Sequence, residues 1–470
     1  LCAPMTLFYK VLIANRGEIA RRVIRTCKRL GIPTVAVYSE VDKDAPHVSE
    51  ADESVLLGPA PAKDSYLSIP AVLDAIKKTG ATAVHPGYGF LSEKSAFARA
   101  VAEAGAVFIG PSPAVLDSFG DKMKARHVAL AANTRAVPGT DEPLPIETAE
   151  DFAHAKERAA KIGYPIVVKA VGGGGGIGMH VVREEAQLER ALKACSDRGK
   201  ASFADARVYM ERYVSVPRHI EVQVFCDSHG QAFALGEREC SLQRRHQKIV
   251  EESPSPAAFF SGEEGAARKE ALFAAALRVV TSVGYVGAGT CEFIADEAGE
   301  LFFLEVNARL QVEHPVTEMV TGLDLVELQL RVAAGERLPD LASCKRSGHA
   351  IEARIYAEDP SKGFIPKPGD IHELVWAGGV GDAQTKTLRI ESGVRAPAKV
   401  TPFYDPMIAK VVAWGETRAQ AIATLDEALS KTTIAPCTTN LAFLRKTFAS
   451  EEFKAGRYDT SFAEILAKRP

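Results

Sequence analysis

The sequence is short of several things, and each shortage removes a class of function. Its eight cysteines, Cys2, Cys27, Cys195, Cys226, Cys240, Cys291, Cys344 and Cys437, form no C-x-x-C pair, which argues against metal clusters and dithiol redox motifs. Scattered thiols fit a reducing, cytoplasmic setting. No stretch approaches ~20 uninterrupted apolar residues, so no membrane span is expected. A net charge of −3 leaves no field for nucleic acid or an anionic membrane. Residues 1–10 lack the charged region and apolar core of a signal peptide. Met5 reads as the natural start, with Leu1 to Pro4 as a remnant ahead of it. There is no G-x-G-x-x-G, so no dinucleotide is inferred, and no G-K-[ST] tail follows the glycine-rich run.

What is present is a soluble, globular composition. The chain has 470 residues, 46% apolar and 25% charged, enough for two to four domains. Its first part alternates strand and helix: strands at 8–14, 33–38, 82–84 and 107–109, helices at 18–30 and 70–78. That pattern predicts a parallel sheet with helices on both faces. The turns His85-Pro86-Gly87-Tyr88-Gly89 and Gly110-Pro111-Ser112-Pro113 fall at strand C-termini, where such sheets hold ligands, although turn chemistry alone accounts for them equally well. Asp121 is placed to cap a helix starting at Lys122. A lysine at a helix start is electrostatically misplaced and hints at a nearby anion.

Two short apolar strands, 164–170 and 179–182, enclose Gly172 to Gly176, Ile177 and Gly178. Glycine lets backbone N–H groups approach phosphate oxygens, so this reads as a phosphate-covering flap rather than a plain loop. Lys169, at the end of the incoming strand, points a cation there. Residues 207–226 read as two strands broken at Ser215-Val216-Pro217, with His219 on the second. Residues 237–252 are dense in charge, the mark of a solvated face, although Cys240 and Leu242 keep a period-2 trace. Cys240 and Cys291 read as core thiols.

The most informative stretch is Glu305-Val306-Asn307-Ala308-Arg309-Leu310-Gln311-Val312-Glu313. It alternates functional and apolar residues, so one extended segment sets Glu305, Asn307, Arg309, Gln311 and Glu313 on one face. Upstream, 289–295 and 301–307 flank a turn centred between Ala298 and Gly299. That register places Glu292 opposite Glu305, Thr290 opposite Asn307 and Ile294 opposite Phe303. Cys291, Phe293, Ala295, Phe302, Leu304 and Val306 then form the apolar face. Like charges opposite each other destabilise a sheet, and a divalent cation removes that cost. Two carboxylates with an amide oxygen suit Mg²⁺ or Mn²⁺ held jointly with phosphates. Residues 348–470 read as a final α+β unit in which Arg354, mid-strand among apolar neighbours, needs an anionic partner.

Taken in order, K-V-L-I-A-N-R-G-E-I-A-R-R, H-P-G-Y-G-F-L-S-E, the glycine flap, Q-R-R-H-Q-K, E-V-N-A-R-L-Q-V-E-H-P-V-T-E, E-A-R-I-Y-A-E-D-P and Y-D-P-M-I-A-K resemble the biotin carboxylase family of ATP-grasp enzymes. The resemblance implies a multidomain α/β and α+β chain: an N-terminal Rossmann-like domain (5–120), an ATP-grasp domain (121–345) with a mobile glycine-rich lid (about 137–210), and a C-terminal biotin carboxylase domain (346–460). It implies that ATP phosphorylates bicarbonate to carboxyphosphate, and that CO₂ released from it is attacked by biotin N1. The nucleotide falls to Lys122, Lys169, Gly173, Gly174, Gly175, Gly176, Gly178, Glu211, Arg212, Val214, His219, Gln243 and His246. Two Mg²⁺ or Mn²⁺ ions fall to Glu292, Glu305 and Asn307. Bicarbonate falls to Lys248, Arg309, Gln311, Val312 and Glu313, with Glu313 as base and Arg354 as the cation facing the biotin enolate.

There are departures. Ile177 stands where the family carries Arg or Lys, which leaves the flap one cation short, and the family's G-V-x-T-N appears as Ala435-Pro436-Cys437-Thr438-Thr439-Asn440. No methionine lies in an M-K-M context, so biotin is expected on a separate carrier protein, with a carboxyltransferase completing an acyl-CoA carboxylase and the chain itself a homodimer. The competing readings are another ATP-grasp ligase acting on a carboxylate or amine, and a non-catalytic nucleotide-binding subunit.

Overall fold

The computed structural model describes residues 7–171, 179–203, 205–378 and 384–469. Strands β1 (Val11–Ile13), β2 (Thr34–Ser39), β3 (Glu53–Gly58), β4 (Ala83–His85) and β5 (Val107–Phe108) form a parallel sheet in the order β3-β2-β1-β4-β5. β1 is buried throughout, as a central parallel strand covered on both faces must be. α1 (Gly17–Arg29) buries Ile19, Ala20, Val23, Ile24 and Cys27, the spacing of one helix face. It starts from a left-handed φ of +64° at Gly17, which glycine adopts without a Cβ clash. α2 (Ile69–Thr79) agrees with the expected helix, whereas β3 and α3 (Ser95–Glu103) add to the sequence pattern. The winding reverses between β1 and β4. There Asn15 Nδ2 donates to the carbonyls of Pro86 (2.8 Å) and Tyr88 (2.7 Å), fixing the turn that leads to Glu93.

Asp121 caps α4 (Lys122–Ala131), accepting from the backbone N–H of Met123 at 2.9 Å and of Lys124 at 3.0 Å. A smaller layer follows: α5 (Ala149–Ile162), β6 (Ile166–Ala170), β7 (Met179–Val182), α6 (Leu188–Phe203) and β8 (Val208–Arg212). It has its own core, including Ala155, Ile166, Val168, Val182, Leu192 and Met210. β6 and β7 form the expected antiparallel hairpin with Lys169 opposite Met179. Its tip, with Gly173, Gly174, Gly175, Gly176, Ile177 and Gly178, lies outside the described residues.

The scaffold of the molecule is an eight-stranded antiparallel sheet in the order β13-β12-β9-β10-β11-β14-β16-β15. It comprises β9 (Arg218–Cys226), β10 (Ala232–Arg244), β11 (Gln247–Ser253), β12 (Gly287–Ala295), β13 (Leu301–Asn307), β14 (His349–Tyr356), β15 (Leu388–Ser392) and β16 (Met407–Gly415), with α7 (Gly262–Thr281) between β11 and β12 in the chain. Ser215-Val216-Pro217 therefore separates two sheets, not two strands of one. β14 to β16 continue the sheet of the preceding region, and Leu242 and Val250 share one core with Ile351, Val411 and Leu425. Among the described residues no helix is long and apolar enough to cross a membrane.

Three expectations are corrected here. The charged stretch 237–252 is not a solvated face: Glu237, Arg238, Glu239, Glu251 and Glu252 are all at most 2% exposed. Their partners come from elsewhere in the chain, as Arg238 Nε on Glu221 of the neighbouring strand β9 (2.5 Å) and Arg418 Nε of a C-terminal helix on Glu252 (2.6 Å) illustrate. The hairpin keeps Glu292 opposite Glu305 and Thr290 opposite Asn307, but a bulge after Glu292 puts Phe293 opposite Phe303 and Ile294 opposite Phe302. An extra residue in one strand turns the side chains beyond it to the other face. Phe303 joins Phe293 in the core, while Phe302, Leu304 and Ile294 pack with Val137 and Val214 on the other side. Finally, the extended segment ends at Asn307; a bend and turn come next, and Glu313 is the residue before α8 (His314–Thr321).

Candidate active site

A cavity of about 710 Å³ opens where the β6–β8 layer faces the large sheet. Lys122, Lys169, Glu211, Arg212, Val214, His219, Gln243, His246, Lys248, Glu292, Glu305, Asn307, Arg309, Gln311, Val312, Glu313 and Arg354 all line it. Every candidate outside the glycine flap is thus brought to one space.

One end combines an apolar slot with a polar rim. Val137, Val167, Val181, Ile294 and Leu304 supply the slot, beside the segment Glu211 to Val214. The sequence pattern placed Leu304 in the core, and the bulge turns it toward the cavity; Ile294, two residues from Glu292 on the same strand, shares that face by simple alternation. Lys122 Nζ lies 3.3 Å from Glu305, which answers the anion its position hinted at. Burial opposes its charge, yet Glu305 outweighs that and raises its pKa. Lys169 pairs with Glu211, which also has Arg126 at 3.7 Å. The β10–β11 turn places Arg245 and His246 at φ +49° and +62°. Two left-handed residues make the turn that suits a two-residue hairpin, and neither is glycine, a strain typical of functional sites.

The middle is organised by Lys248. Its Nζ donates to Glu221 Oε2 (2.6 Å), Glu292 Oε1 (2.9 Å) and Glu313 Oε1 (2.7 Å). Burial disfavours the ammonium, but the three carboxylates raise its pKa well above the ordinary lysine value. Glu292 also has His219 Nε2 at 3.0 Å. Burial works against ionisation of Glu292, yet Lys248 and His219 hold it well below the carboxylate range. His219 Nδ1 meets Gln243 Nε2 at 3.1 Å.

The far end holds the remaining cations. Arg309 donates from Nε to Glu93 Oε2 (2.8 Å) and from Nη1 to Gln311 Oε1 (2.8 Å). Glu93 also accepts from the N–H of Ala308 at 3.1 Å, so the turn after β4 sets the arginine. Glu313 is wholly buried and accepts from Arg354 Nη2 at 2.9 Å on its second oxygen. Burial pushes its pKa up; Lys248 and Arg354 outweigh this and hold it well below the usual range. The fully buried Lys410 donates to the Val312 carbonyl at 2.8 Å, pinning the turn that presents Glu313. Asn440 accepts from Tyr356 N–H (2.9 Å) and donates to the Arg354 carbonyl (3.0 Å). The departure at 435–440 thus still braces the Arg354 strand.

The donor set fits a hard divalent cation. Glu292 and Glu305 oppose each other across the ladder, and their negative charge is met by Lys248, His219 and Lys122. Asn307 presents its Nδ2 to Glu292 Oε1 at 2.8 Å and its oxygen to Arg309 at 3.0 Å, so ligation by the amide oxygen requires the amide to turn. His219, Glu221 and Glu292 offer a second group of candidate ligand atoms, all within 4.8 Å of one another.

Comparison with known proteins agrees with this geometry. Residues 7–116 match the biotin carboxylase N-terminal domain, 121–341 the carbamoyl-phosphate synthase L chain ATP binding domain, and 352–465 the biotin carboxylase C-terminal domain. The chain is 48% identical to biotin carboxylase 2 of Bacillus subtilis (strain 168) over 457 residues, 97% of this chain and 99% of that protein. It is 46% identical to the mitochondrial methylcrotonoyl-CoA carboxylase subunit alpha of Dictyostelium discoideum over 97% of its own length, and spans 63% of that protein. The biotin carboxylase domain dimer of Hydrogenobacter thermophilus 2-oxoglutarate carboxylase, solved with MgADP, ADP and bicarbonate, superposes with a TM-score of 0.90 at 40% identity, covering 98% of this chain and 99% of that one. Whole-length identity at this level, over a cavity assembled from the same motifs, makes the chain a member of the biotin carboxylase family.

Proposed function

We propose that this chain carboxylates biotin at the expense of ATP and bicarbonate, and that the cavity residues divide the work along its length. The observation that carries the reading is the Lys248 knot: one ammonium joins Glu292 on the nucleotide side to Glu313 on the far side, where Arg354 waits. A phosphoryl transfer site and a base for its acceptor are thus contiguous.

In this reading ATP lies with its base in the apolar slot beside Glu211, Arg212 and Val214, with His219, Gln243 and His246 around it. Lys122 and Lys169 exchange their carboxylate partners for its phosphates. Magnesium or manganese held by Glu292, Glu305 and Asn307 supplies neutralisation of the charge that develops on those phosphates. Lys248, Arg309, Gln311 and the Val312 backbone orient bicarbonate, and Glu313 removes its proton. The bicarbonate oxygen then attacks the γ-phosphorus, giving ADP and carboxyphosphate. Carboxyphosphate then breaks down to CO₂ and phosphate, the phosphate takes the N1 proton of biotin, and N1 attacks the CO₂ while Arg354 stabilises negative charge on the ureido oxygen.

We propose further that 5–120, 121–345 and 346–460 act as three domains with 137–210 as the lid. The separate core of the β6–β8 layer supports that lid. Biotin is presented by a carrier protein and passed to a carboxyltransferase, within an acyl-CoA carboxylase of the cytoplasm built on a homodimer of this chain. The dimeric Hydrogenobacter structure and the acyl-CoA carboxylase subunit among its relatives support this. ADP formation tests the reading. It should depend on bicarbonate and rise with free biotin; turnover on another acceptor without biotin stimulation overturns it.

A further inference from the structure

Beside Arg354, two buried carboxyls pair across the sheet and reach the same guanidinium. Glu251 of β11 and Glu352 of β14 are direct partners in the antiparallel ladder, close enough for their side chains to meet. Both are wholly buried. Among the described residues neither oxygen of either carboxyl has a hydrogen-bond partner. Glu251 has an ion-pair contact with Arg354 Nη2, and Glu352 lies 4.0 Å from Arg354 Nε. One guanidinium therefore meets three carboxyls, counting Glu313 at 2.9 Å, and cannot neutralise them all.

We propose that Glu251 and Glu352 are a positioning pair that holds one proton in common, so that a single negative charge rather than two stands beside Arg354. A proton between the two carboxyls supplies the hydrogen bond both lack and removes the repulsion of like charges across the ladder. Neither carboxyl belongs to a group of three candidate metal ligands among the described residues; those groups are His219–Glu221–Glu292 and Glu221–Cys240–Glu313.

The surroundings favour retention of that proton. α8 lays Val316 and Val320 against Ala350 and Val412, the first lying two residues from Glu352 along β14 and the second being its partner on β16. The charged groups facing the pair are Arg354 from β14, Lys410 from β16, Lys248 from β11 and Glu313 ahead of α8. Cys240 of β10 and His314 of α8 add no positive charge. Burial raises the thiol pKa, while burial and neighbouring cations push the imidazole pKa well down. Lys410 is already engaged by Val312 and by Glu18 at 3.1 Å. Burial pushes Glu251 up to about 7 against the pull of Arg354, and pushes Glu352 well above the ordinary value against Lys410.

The consequence lies at the biotin end, and the inference rests on the assignment of Arg354 there. With one proton retained, Arg354 offers its charge to an oxyanion forming in the cavity. With that proton lost, a second buried negative charge competes for the guanidinium and the biotin-dependent step slows.

Two measurements test this. In wild-type protein the infrared spectrum should show a protonated carboxylic acid persisting at and above pH of about 7, and Glu352→Gln should remove intensity from that band. A wild-type band that vanishes within the ordinary carboxylate range, or one the substitution leaves unchanged, overturns the proposal. The amide of Glu352→Gln keeps a donor and the neutral charge, so biotin-dependent kcat near neutrality should stay within about twofold. On the alkaline side, where wild type has lost nine-tenths of its rate, the variant should be about tenfold faster, the equivalent of one pKa unit, with KM for ATP unmoved. Superimposable pH profiles overturn the proposal. If wild type shows no biotin-stimulated turnover, the role of Arg354 falls, while the infrared result still decides whether the pair holds a proton.

Discussion

Glu313 is held between two cations, and its role depends on which other groups claim them. Lys248 also serves Glu221 and Glu292, so the carboxylate is ionised but poorly basic while Lys248 stays on it. In the proposed reaction, bicarbonate that draws Lys248 toward itself would raise that basicity where a proton must be removed. Glu313→Gln is expected to keep ATP binding, measured by calorimetry, and to lose at least ~10²-fold of bicarbonate-dependent turnover, the low end for loss of a general base. Lys248→Gln takes one cation from three carboxylates, two of them wholly buried, and leaves Glu221 to Arg238, Glu292 to His219 and Glu313 to Arg354. Removing one partner of a buried pair costs ~3–5 kcal/mol, so its urea midpoint should fall accordingly.

At the scale of elements, the β12–β13 hairpin shows what the sequence could and could not convey. The pairing of Glu292 with Glu305 was legible, because alternation and a glycine-containing turn specify register near the functional pair. The bulge was not: period-2 reading carries no sign of one extra residue, and so Leu304 was placed in the core. Nor was the end of β13 legible. Val306, Ala308 and Leu310 are all buried, so the alternation outlasts the strand and continues through the bend. The charged run 237–252 misled for a different reason. Whether a charge is solvated or buried depends on partners such as Arg418 and Glu221, which no local window contains. The bulge yields its own prediction. Leu304→Ala strips apolar contact worth ~0.8 kcal/mol per buried CH₂ from the nucleotide slot. KM for ATP should rise about tenfold, one 1.4 kcal/mol step, with kcat nearly unchanged.

At the scale of the whole molecule, stability and function share the large sheet. Glu252 ties β11 to β14 and to the C-terminal region: Arg418 lies at 2.6 Å and His349 at 2.5 Å, with Tyr458 on the same carboxyl. Burial works against its ionisation, but these partners hold its pKa at about 2. A carboxyl with a depressed pKa contributes stability above its unfolded pKa of 4.5 and loses it as pH falls toward 2. Glu252→Gln should therefore cost up to ~3 kcal/mol at neutral pH and flatten the acid limb of a stability–pH curve. Nucleotide binding acts across the same scaffold. An ATP analogue with magnesium at 100-fold its Kd should stabilise the fold by about 2.7 kcal/mol, and chelation of the metal should reverse most of that gain.

In the proposed reaction bicarbonate, set between Lys248, Arg309, Gln311 and Glu313, is the group that attacks the γ-phosphorus of ATP. Turnover in bicarbonate labelled with oxygen-18 tests this step most directly, with the released phosphate read by mass spectrometry. One labelled oxygen is expected in each phosphate, because the attacking oxygen stays with phosphorus when carboxyphosphate breaks down. Phosphate that carries no label would contradict it.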